Sequence, residues 1–129
     1  MSQENVKTAA GLVADAKSRV ENLSPDQVAN EVAEGKAVLV DIRDGEERTN
    51  NGAIEGAIHA SRGMLEFYAD PASAYHKDGL DPDKRTILHC ASGGRSALAA
   101  DTLRQLGYTN VAHLEGGINA WKEKGHPVS

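Results

Sequence analysis

The chain alternates short apolar runs with segments of helical character, and this alternation constrains its fold more than any other feature. The run at residues 37–40 shows no polar alternation, which is typical of a strand buried on both faces of a parallel sheet. Further short strands are predicted at 57–60, 86–89 and 111–113. Short buried strands that alternate with helices predict an α/β domain with a small, mainly parallel sheet and helices on both faces.

The clearest helix start in the sequence is at Ser24. Ser24 is a preferred N-cap, Pro25 suits the first helical position, and Gln27 completes a capping box. Gly35 is expected to end this helix. Residues 70–83, which hold two prolines and a glycine, are predicted to form a loop. Three further helices are predicted, at 63–68, 96–106 and 117–124.

Residues 1–22 are predicted to form a helical extension that precedes a domain spanning residues 23–129. Val6, Val13 and Val20 lie seven residues apart and give the extension a weak apolar stripe. This stripe is compatible with a helix that lies on the domain or frays, and also with a helix through which two copies form a homodimer. Three heptad positions are too few to predict a coiled coil.

The charge balance limits the classes of partner. The sequence has 14 basic and 19 acidic residues and a net charge of −5, which argues against binding to nucleic acids or to anionic membrane surfaces. A small anion site is compatible with this charge, because a few local N–H groups outweigh a distant field. No run approaches the roughly 18 apolar residues of a membrane span, and the first residues lack the features of a signal peptide. A cytoplasmic location is therefore expected.

Cys90 is the only cysteine, so the chain cannot form an intrachain disulfide or a Cys-rich metal site. The spacings of the five histidines match no metal-binding motif. We therefore expect neither a metal nor another cofactor. In a reducing compartment the thiol of Cys90 would stay free, which is what nucleophilic chemistry requires.

Three features around Cys90 favour a reactive thiolate. The residue follows the predicted strand 86–89 and so lies at the carboxyl edge of the sheet, where α/β folds place their ligands. Gly93 and Gly94 let successive N–H groups turn inward, and the loop leads to a helix N-terminus, where the dipole favours negative charge. A free cysteine is often a small buried hydrophobic residue with no chemical role. A strand followed by a cysteine, Gly-Gly, an arginine and a helix is far less common than a buried cysteine, and this order favours the reactive thiolate.

The segment Cys90-Ala91-Ser92-Gly93-Gly94-Arg95-Ser96, here called the Cys90 loop, resembles the active-site loop of the rhodanese-like sulfurtransferases. Three other segments are similar to elements of that family and occur in the same order: Asp41-Ile42-Arg43 with Glu47, the stretch 52–58, and Leu114-Glu115-Gly116-Gly117 with Trp121. The four elements together cover about residues 23–127. Ala53 stands where the family usually carries a histidine.

This resemblance implies a three-layer rhodanese-like domain and a ping-pong reaction. The Cys90 thiolate takes the outer sulfur of a small sulfur-containing anion, thiosulfate or a persulfide, and the Cys90 persulfide passes it to cyanide, a thiol or a protein acceptor. The Cys-x4-Arg spacing is the one associated with sulfur transfer, whereas the related phosphatases and arsenate reductases carry Cys-x5-Arg. A non-enzymatic rhodanese-like module that binds a partner or senses redox state is the alternative.

The resemblance also implies roles for the residues of the Cys90 loop. Cys90 is the catalytic residue, and Arg95 is placed to hold the donor anion. Thiosulfate is not assigned as the natural donor, because two loop residues are uncharged where the members that use thiosulfate best carry basic side chains. Those two are Ala91 and Ser92. The full set of predicted substrate-binding positions in the loop is Ala91, Ser92, Gly93, Gly94, Arg95 and Ser96.

Other polar residues are predicted to lie near the same edge of the sheet. Asp41, Arg43 and Glu47 are compatible with a catalytic role, but the position of a carboxylate at the end of a buried strand favours structural support of the site, with Arg43 and Glu47 as a local ion pair. Arg62 follows the strand at 57–60 and either reaches the anion site or is an ordinary solvated arginine. His89 precedes Cys90 on a strand, so its side chain is expected to point to the opposite face and not to act as the base.

Overall fold

In the computed structural model, which describes residues 7–129, five strands form one parallel sheet. The strands are β1 (Glu21–Leu23), β2 (Val38–Asp41), β3 (Ile58–His59), β4 (Thr86–His89) and β5 (Val111–Leu114). Their order across the sheet is β1-β5-β4-β2-β3. The register places Asp41 beside both His59 and His89, and Leu88 beside His113. The mainly parallel sheet predicted from the sequence is confirmed.

Helices lie on both faces of this sheet. They are α1 (Ala9–Arg19), α2 (Pro25–Ala33), α3 (Gly45–Asn51), α4 (Leu65–Ala69), α5 (Gly94–Gln105) and α6 (Gly117–Glu123), with a 3₁₀ turn at Arg62–Met64 before α4. α4 and α5 pack on the face that carries Leu88, whereas α2 and α6 pack on the face that carries Ile87. This is the predicted three-layer arrangement. No helix within residues 7–129 is long and apolar enough to cross a membrane.

The start of α2 shows why the local sequence defines this fold well. The Ser24 hydroxyl accepts the N–H of Gln27 at 3.2 Å, and the Gln27 amide oxygen accepts the N–H of Ser24 at 2.8 Å. With Pro25 in the first turn, the predicted capping box is complete. The helix then leads directly to β2, whose last residue, Asp41, begins the polar region of the carboxyl edge.

Two elements of the structure are not predicted by the sequence. β1 has only three residues and two of them are exposed, so it leaves no apolar run to detect. α3 consists of glycine and polar residues, so it has no apolar stripe to indicate a helix, and none of its residues is buried. The strand predicted at 57–60 is shorter, at Ile58–His59, and the helix predicted at 96–106 begins two residues earlier, at Gly94.

The N-terminal helix packs on the domain. α1 lies against α5, where Arg19 and Asp101 form a bidentate ion pair with N–O distances of 2.9 and 3.1 Å. β1 follows and pairs with β5, so the predicted boundary after residue 22 falls inside a strand of the sheet. Residues 1–6 of the predicted extension, including Val6, lie outside the described residues. The homodimer through this helix stays a prediction.

Candidate active site

Cys90 lies immediately after β4, between the carboxyl ends of β2 and β5. Its side chain belongs to the core on the α5 face and only 1% of the residue is exposed. His89, the preceding residue, is also buried, and its ring lies near Asp41. The imidazole of His89 is therefore not a neighbour of the Cys90 sulfur, as the alternation of side chains along a strand requires.

Backbone N–H groups of the Cys90 loop surround the sulfur. The N–H of Gly93 donates to Cys90 Sγ at 3.1 Å, and the N–H of Ser96 donates at 3.3 Å. Gly93 has a φ of 103°, a left-handed conformation that turns its N–H inward just before α5 begins. These donors and the N-terminal end of the α5 dipole stabilise negative charge on the sulfur.

The first turn of α6 holds the Cys90 loop from the other side. The N–H of Ile118 donates to the carbonyl of Cys90 at 2.9 Å, and the N–H of Asn119 donates to that of Ala91 at 3.1 Å. Gly117 allows this contact, since a Cβ there would lie 2.4 Å from the Ala91 oxygen, and its φ is 61°. Gly117 of the Leu114-Glu115-Gly116-Gly117 element thus lets α6 hold the Cys90 loop in place.

The side chains of the Cys90 loop differ in exposure. Ser92 is exposed and Ala91 is half-buried, so both lie at the mouth of the site, whereas Ser96 is fully buried below the sulfur. Arg62 does not join them. Its guanidinium bonds to Glu66 at 3.0 Å and to Thr102 at 3.4 Å, on α4 and α5. Within residues 7–129, no group of three or more His, Cys, Asp or Glu residues is placed to hold a metal ion.

Arg95 forms the main ion pair of the site, and its partner is Glu47. Two N–O contacts of 2.8 Å make the pair bidentate. The hydrogen bonds from Arg95 lower the pKa of Glu47 to about 2. The predicted ion pair between Arg43 and Glu47 is therefore wrong. A spacing of four residues favours such a pair only when both residues lie in one helix, and Arg43 precedes α3. The Glu47 carboxylate instead contacts the Cys90 loop.

Arg43 instead pairs with Asp41, and both residues are buried. Arg43 Nε and Nη2 donate to the Asp41 carboxylate at 3.0 and 2.8 Å, and Nη2 also donates to the carbonyl of Gly52 at 2.8 Å. Arg48 adds a contact to Asp41 at 3.1 Å. Burial acts to raise the pKa of Asp41, but the hydrogen bonds from Arg43 together with the charges of His89 and Arg43 outweigh it, so the pKa lies below its usual value.

His113 is a site residue to which the sequence interpretation gave no role. Its Nδ1 lies 3.0 Å from Ser96 Oγ, which is 3.5 Å from Cys90 Sγ. The sequence indicates that His113 lies near Cys90 only once the order of the strands is known. β5 lies beside β4 with His113 opposite Leu88, and Cys90 is two residues beyond Leu88 on the same face.

The two buried histidines give a testable pH dependence of stability. Burial lowers the pKa of His89 and of His113 below the usual value of about 6.5. Below about pH 6.5 the unfolded chain therefore binds protons that the folded chain does not. The free energy of unfolding is expected to decrease as the pH is lowered through this range. Each histidine contributes at most about 1.4 kcal/mol per pH unit. Asp41 and Glu47 act only at lower pH, because a carboxyl group whose folded pKa is lowered loses its stabilisation only below its unfolded pKa of about 4.

Urea unfolding at pH 7.5 and 5.5 measures this effect. The wild-type free energy of unfolding is expected to be lower at pH 5.5, and His89→Asn is expected to reduce the difference between the two values. An equal difference in wild type and variant would show that His89 does not contribute.

The comparisons with known proteins agree with this geometry. A family model described as Rhodanese-like domain matches residues 24–124. Thiosulfate sulfurtransferase GlpE of Shewanella oneidensis is 35% identical over 107 residues, which cover 82% of this chain and 96% of that protein. These matches confirm the resemblance drawn from the sequence.

Two solved structures are similar over most of the chain. One, from Rhodopseudomonas palustris, is named as a protein of unknown function and possible tyrosine phosphatase. It is 39% identical, with a TM-score of 0.91, and the match covers 100% of this chain and 99% of that one. The polysulfide-sulfur transferase homodimer of Wolinella succinogenes is 34% identical with a TM-score of 0.75, and the match covers 91% of this chain and 83% of that one.

Proposed function

The chain belongs to the rhodanese-like domain family, and from this premise we propose that it is a sulfurtransferase that carries sulfane sulfur as a persulfide of Cys90. The observation that supports this proposal most directly is the pair of backbone N–H donors, from Gly93 and Ser96, on the Cys90 sulfur. Donors fixed by the backbone stabilise an anionic sulfur without a conformational change, whether it is a thiolate or the terminal sulfur of a persulfide.

In the first half of the proposed reaction, the Cys90 thiolate attacks the outer sulfur of a donor. With thiosulfate, a new S–S bond forms to Cys90, the S–S bond of the donor breaks, and sulfite leaves with the electron pair. In the second half, a thiolate, cyanide or a protein acceptor attacks the outer sulfur and Cys90 leaves as a thiolate. Because the chain has one cysteine, no second thiol of the chain discharges the persulfide as a disulfide. A reducing compartment such as the cytoplasm suits this chemistry.

The donor is proposed to be a small anion that reaches Cys90 past Arg95. Glu47 already neutralises the charge of Arg95, and Ala91 and Ser92 add none. This local balance favours singly charged persulfides at least as much as the doubly charged thiosulfate. The acceptor is proposed to be a thiol or a protein.

Intact mass spectrometry tests the proposed function. After incubation with thiosulfate or with glutathione persulfide, the wild-type chain is expected to gain one sulfur atom, which cyanide then removes as thiocyanate. Cys90→Ala is expected to gain none. If neither donor adds sulfur to the folded wild-type chain, the proposal is wrong and the alternative, a non-enzymatic module that binds a partner or senses redox state, is favoured.

An aryl phosphate assay separates sulfur transfer from phosphatase chemistry. The Cys-x4-Arg loop is one residue shorter than that of the related phosphatases, and its arginine is already bonded to Glu47. We expect no turnover of p-nitrophenyl phosphate by the wild-type chain. Turnover that is lost in Cys90→Ala would instead identify a phosphatase.

A further inference from the structure

A continuous chain of polar side chains connects the Cys90 sulfur with the edge strand of the sheet. It runs from Cys90 Sγ to Ser96 Oγ (3.5 Å), from there to His113 Nδ1 (3.0 Å), and from His113 Nε2 to Asn22 Oδ1 (2.7 Å). Cys90, Ser96 and His113 are all buried, with no more than 1% of each residue exposed. Buried polar side chains are usually placed by their hydrogen bonds, so the direction of each bond in this chain is informative.

Asn22 determines which nitrogen of His113 carries the proton. Asn22 Nδ2 donates to the carbonyls of Lys17 at 3.0 Å and Val20 at 3.1 Å. Carbonyls only accept, so the amide nitrogen of Asn22 faces them and its oxygen faces His113. That oxygen accepts as well, and His113 Nε2 must therefore carry hydrogen. In the neutral imidazole, Nδ1 then has a free lone pair that points toward Ser96.

The Ser96 hydroxyl completes the direction of the chain. Its nearest acceptor is His113 Nδ1 at 3.0 Å, and the carbonyl of Gly93 is farther away at 3.4 Å. A hydroxyl that donates to His113 presents its own lone pairs to the thiol of Cys90. Along this path the thiol of Cys90 donates to Ser96, the hydroxyl of Ser96 donates to His113, and the Nε2–H of His113 donates to Asn22. The side-chain donors of the path therefore all point away from the sulfur.

We propose that His113 is a positioning residue that accepts the thiol proton of Cys90 through the Ser96 hydroxyl, in the tautomer held by Asn22. The proton of the thiol passes to Ser96 Oγ while the hydroxyl proton passes to His113 Nδ1. A neutral thiol and imidazole become a thiolate and an imidazolium, with no change in total charge and no redox step. The Ser96 hydroxyl then donates to the sulfur as a third donor beside the two N–H groups.

The charged groups around His113 are compatible with this role. The Glu115 carboxylate lies 3.5 Å from His113 Nε2 and favours the imidazolium, and Lys17, on α1, bonds to that carboxylate at 2.5 Å and offsets part of its charge. Burial lowers the pKa of His113, so the imidazole is neutral near pH 7 and free to accept a proton. Within the hydrogen-bonded path itself, the titratable residues are Cys90 and His113.

The proposal rests on the proposed sulfur transfer for its purpose, but alkylation of Cys90 by iodoacetamide tests it without a sulfur donor. His113→Asn keeps an acceptor near the position of Nδ1 and removes the base. We expect about a tenfold slower alkylation at pH 6.5 and a difference within about threefold at pH 9, where hydroxide is available as an alternative base. This loss is smaller than the roughly 10²–10⁴-fold effect of a typical general base because the N–H donors remain.

Three further variants make the test specific. Ser96→Ala breaks the hydrogen-bond path while His113 stays in place, so its pH profile of alkylation should show the same displacement toward high pH. The double variant of Ser96→Ala and His113→Asn should lose no more of the alkylation rate than either single variant. His126 lies outside the hydrogen-bond path and is bonded to Asp26, so His126→Asn should keep the wild-type pH profile of alkylation. A loss that is constant across pH, or losses that multiply in the double variant, would overturn the proposal.

The same experiment keeps this inference distinct from the proposed function. If the pH profile of alkylation moves as expected but thiosulfate and glutathione persulfide add no sulfur, the proton path stands and the sulfurtransferase proposal falls. If sulfur is added and the alkylation profile of both variants follows that of the wild type, only the proton path is wrong. Circular dichroism of each variant verifies that it is folded. If His113→Asn does not fold, the pH profile of Ser96→Ala tests the proton path.

Discussion

The Arg43→Met variant is expected to unfold with a free energy about 3 kcal/mol lower than that of the wild type. The substitution leaves the Asp41 carboxylate, which is fully buried, without its bidentate partner. A buried charge that loses its partner typically costs about 3–5 kcal/mol. Arg48 still contacts Asp41 at 3.1 Å, so the lower end of that range applies. Urea unfolding at pH 7.5 measures the change.

The double variant Asp41→Asn with Arg43→Met distinguishes a broken ion pair from lost packing. With the carboxylate removed, no charge is left buried, so the double variant should be more stable than Arg43→Met alone. If the two variants unfold at the same urea concentration, the cost arises from the volume and packing of Arg43, and the ion-pair argument is wrong.

Gly117→Ala is expected to slow persulfide formation by about two orders of magnitude in a chain that still folds. The added Cβ would lie 2.4 Å from the Ala91 oxygen and 2.7 Å from the Cys90 oxygen, so the Cys90 loop must move away from α6. The N–H bonds from Ile118 and Asn119 are then lost. A displacement of about 1 Å at a reacting group is enough for an effect of this size. The rate of sulfur addition from glutathione persulfide measures it.

Gly125→Ala is the matched control for this substitution. Gly125 follows the same helix and also has a left-handed φ, 82°, but no atom lies within 4 Å of a Cβ built there. Gly125→Ala therefore carries the backbone cost without the collision, and its rate is expected to stay within about threefold of the wild type. Equal rates in the two variants would mean that α6 does not position the Cys90 loop.

The parts of the fold that were predictable have local causes. The Ser24 capping box and the strand at 37–40 each depend on a few neighbouring residues, and the structure contains both. The Cys90 loop is similarly local, because Gly93 and the start of α5 orient its N–H groups. β1 escaped prediction because an edge strand of three residues takes its stability from β5, far away in the sequence.

The unpredicted parts of the site depend on long-range geometry. Glu47 lies four residues from Arg43, yet it pairs with Arg95, which is 48 residues away. Only the placement of α3 beside the Cys90 loop in the fold determines that choice. The contact between His113 and Ser96 likewise requires β5 to lie beside β4, and no pattern within either segment reports the strand order.

The burial of Cys90 has a consequence for where an acceptor attacks. In a persulfide at this position the inner sulfur occupies the site of the thiol, with 1% of the residue exposed, and the outer sulfur extends about 2 Å beyond it. In the proposed reaction, attack on the outer sulfur completes a turnover. Attack on the inner sulfur would release hydrosulfide and leave the acceptor joined to Cys90 as a mixed disulfide. Attack on the inner sulfur has to come from the side opposite the outer sulfur, where Ser96 and the core on the α5 face lie against Cys90. We therefore expect access, and not a difference in reactivity between the two sulfurs, to direct an acceptor to the outer sulfur.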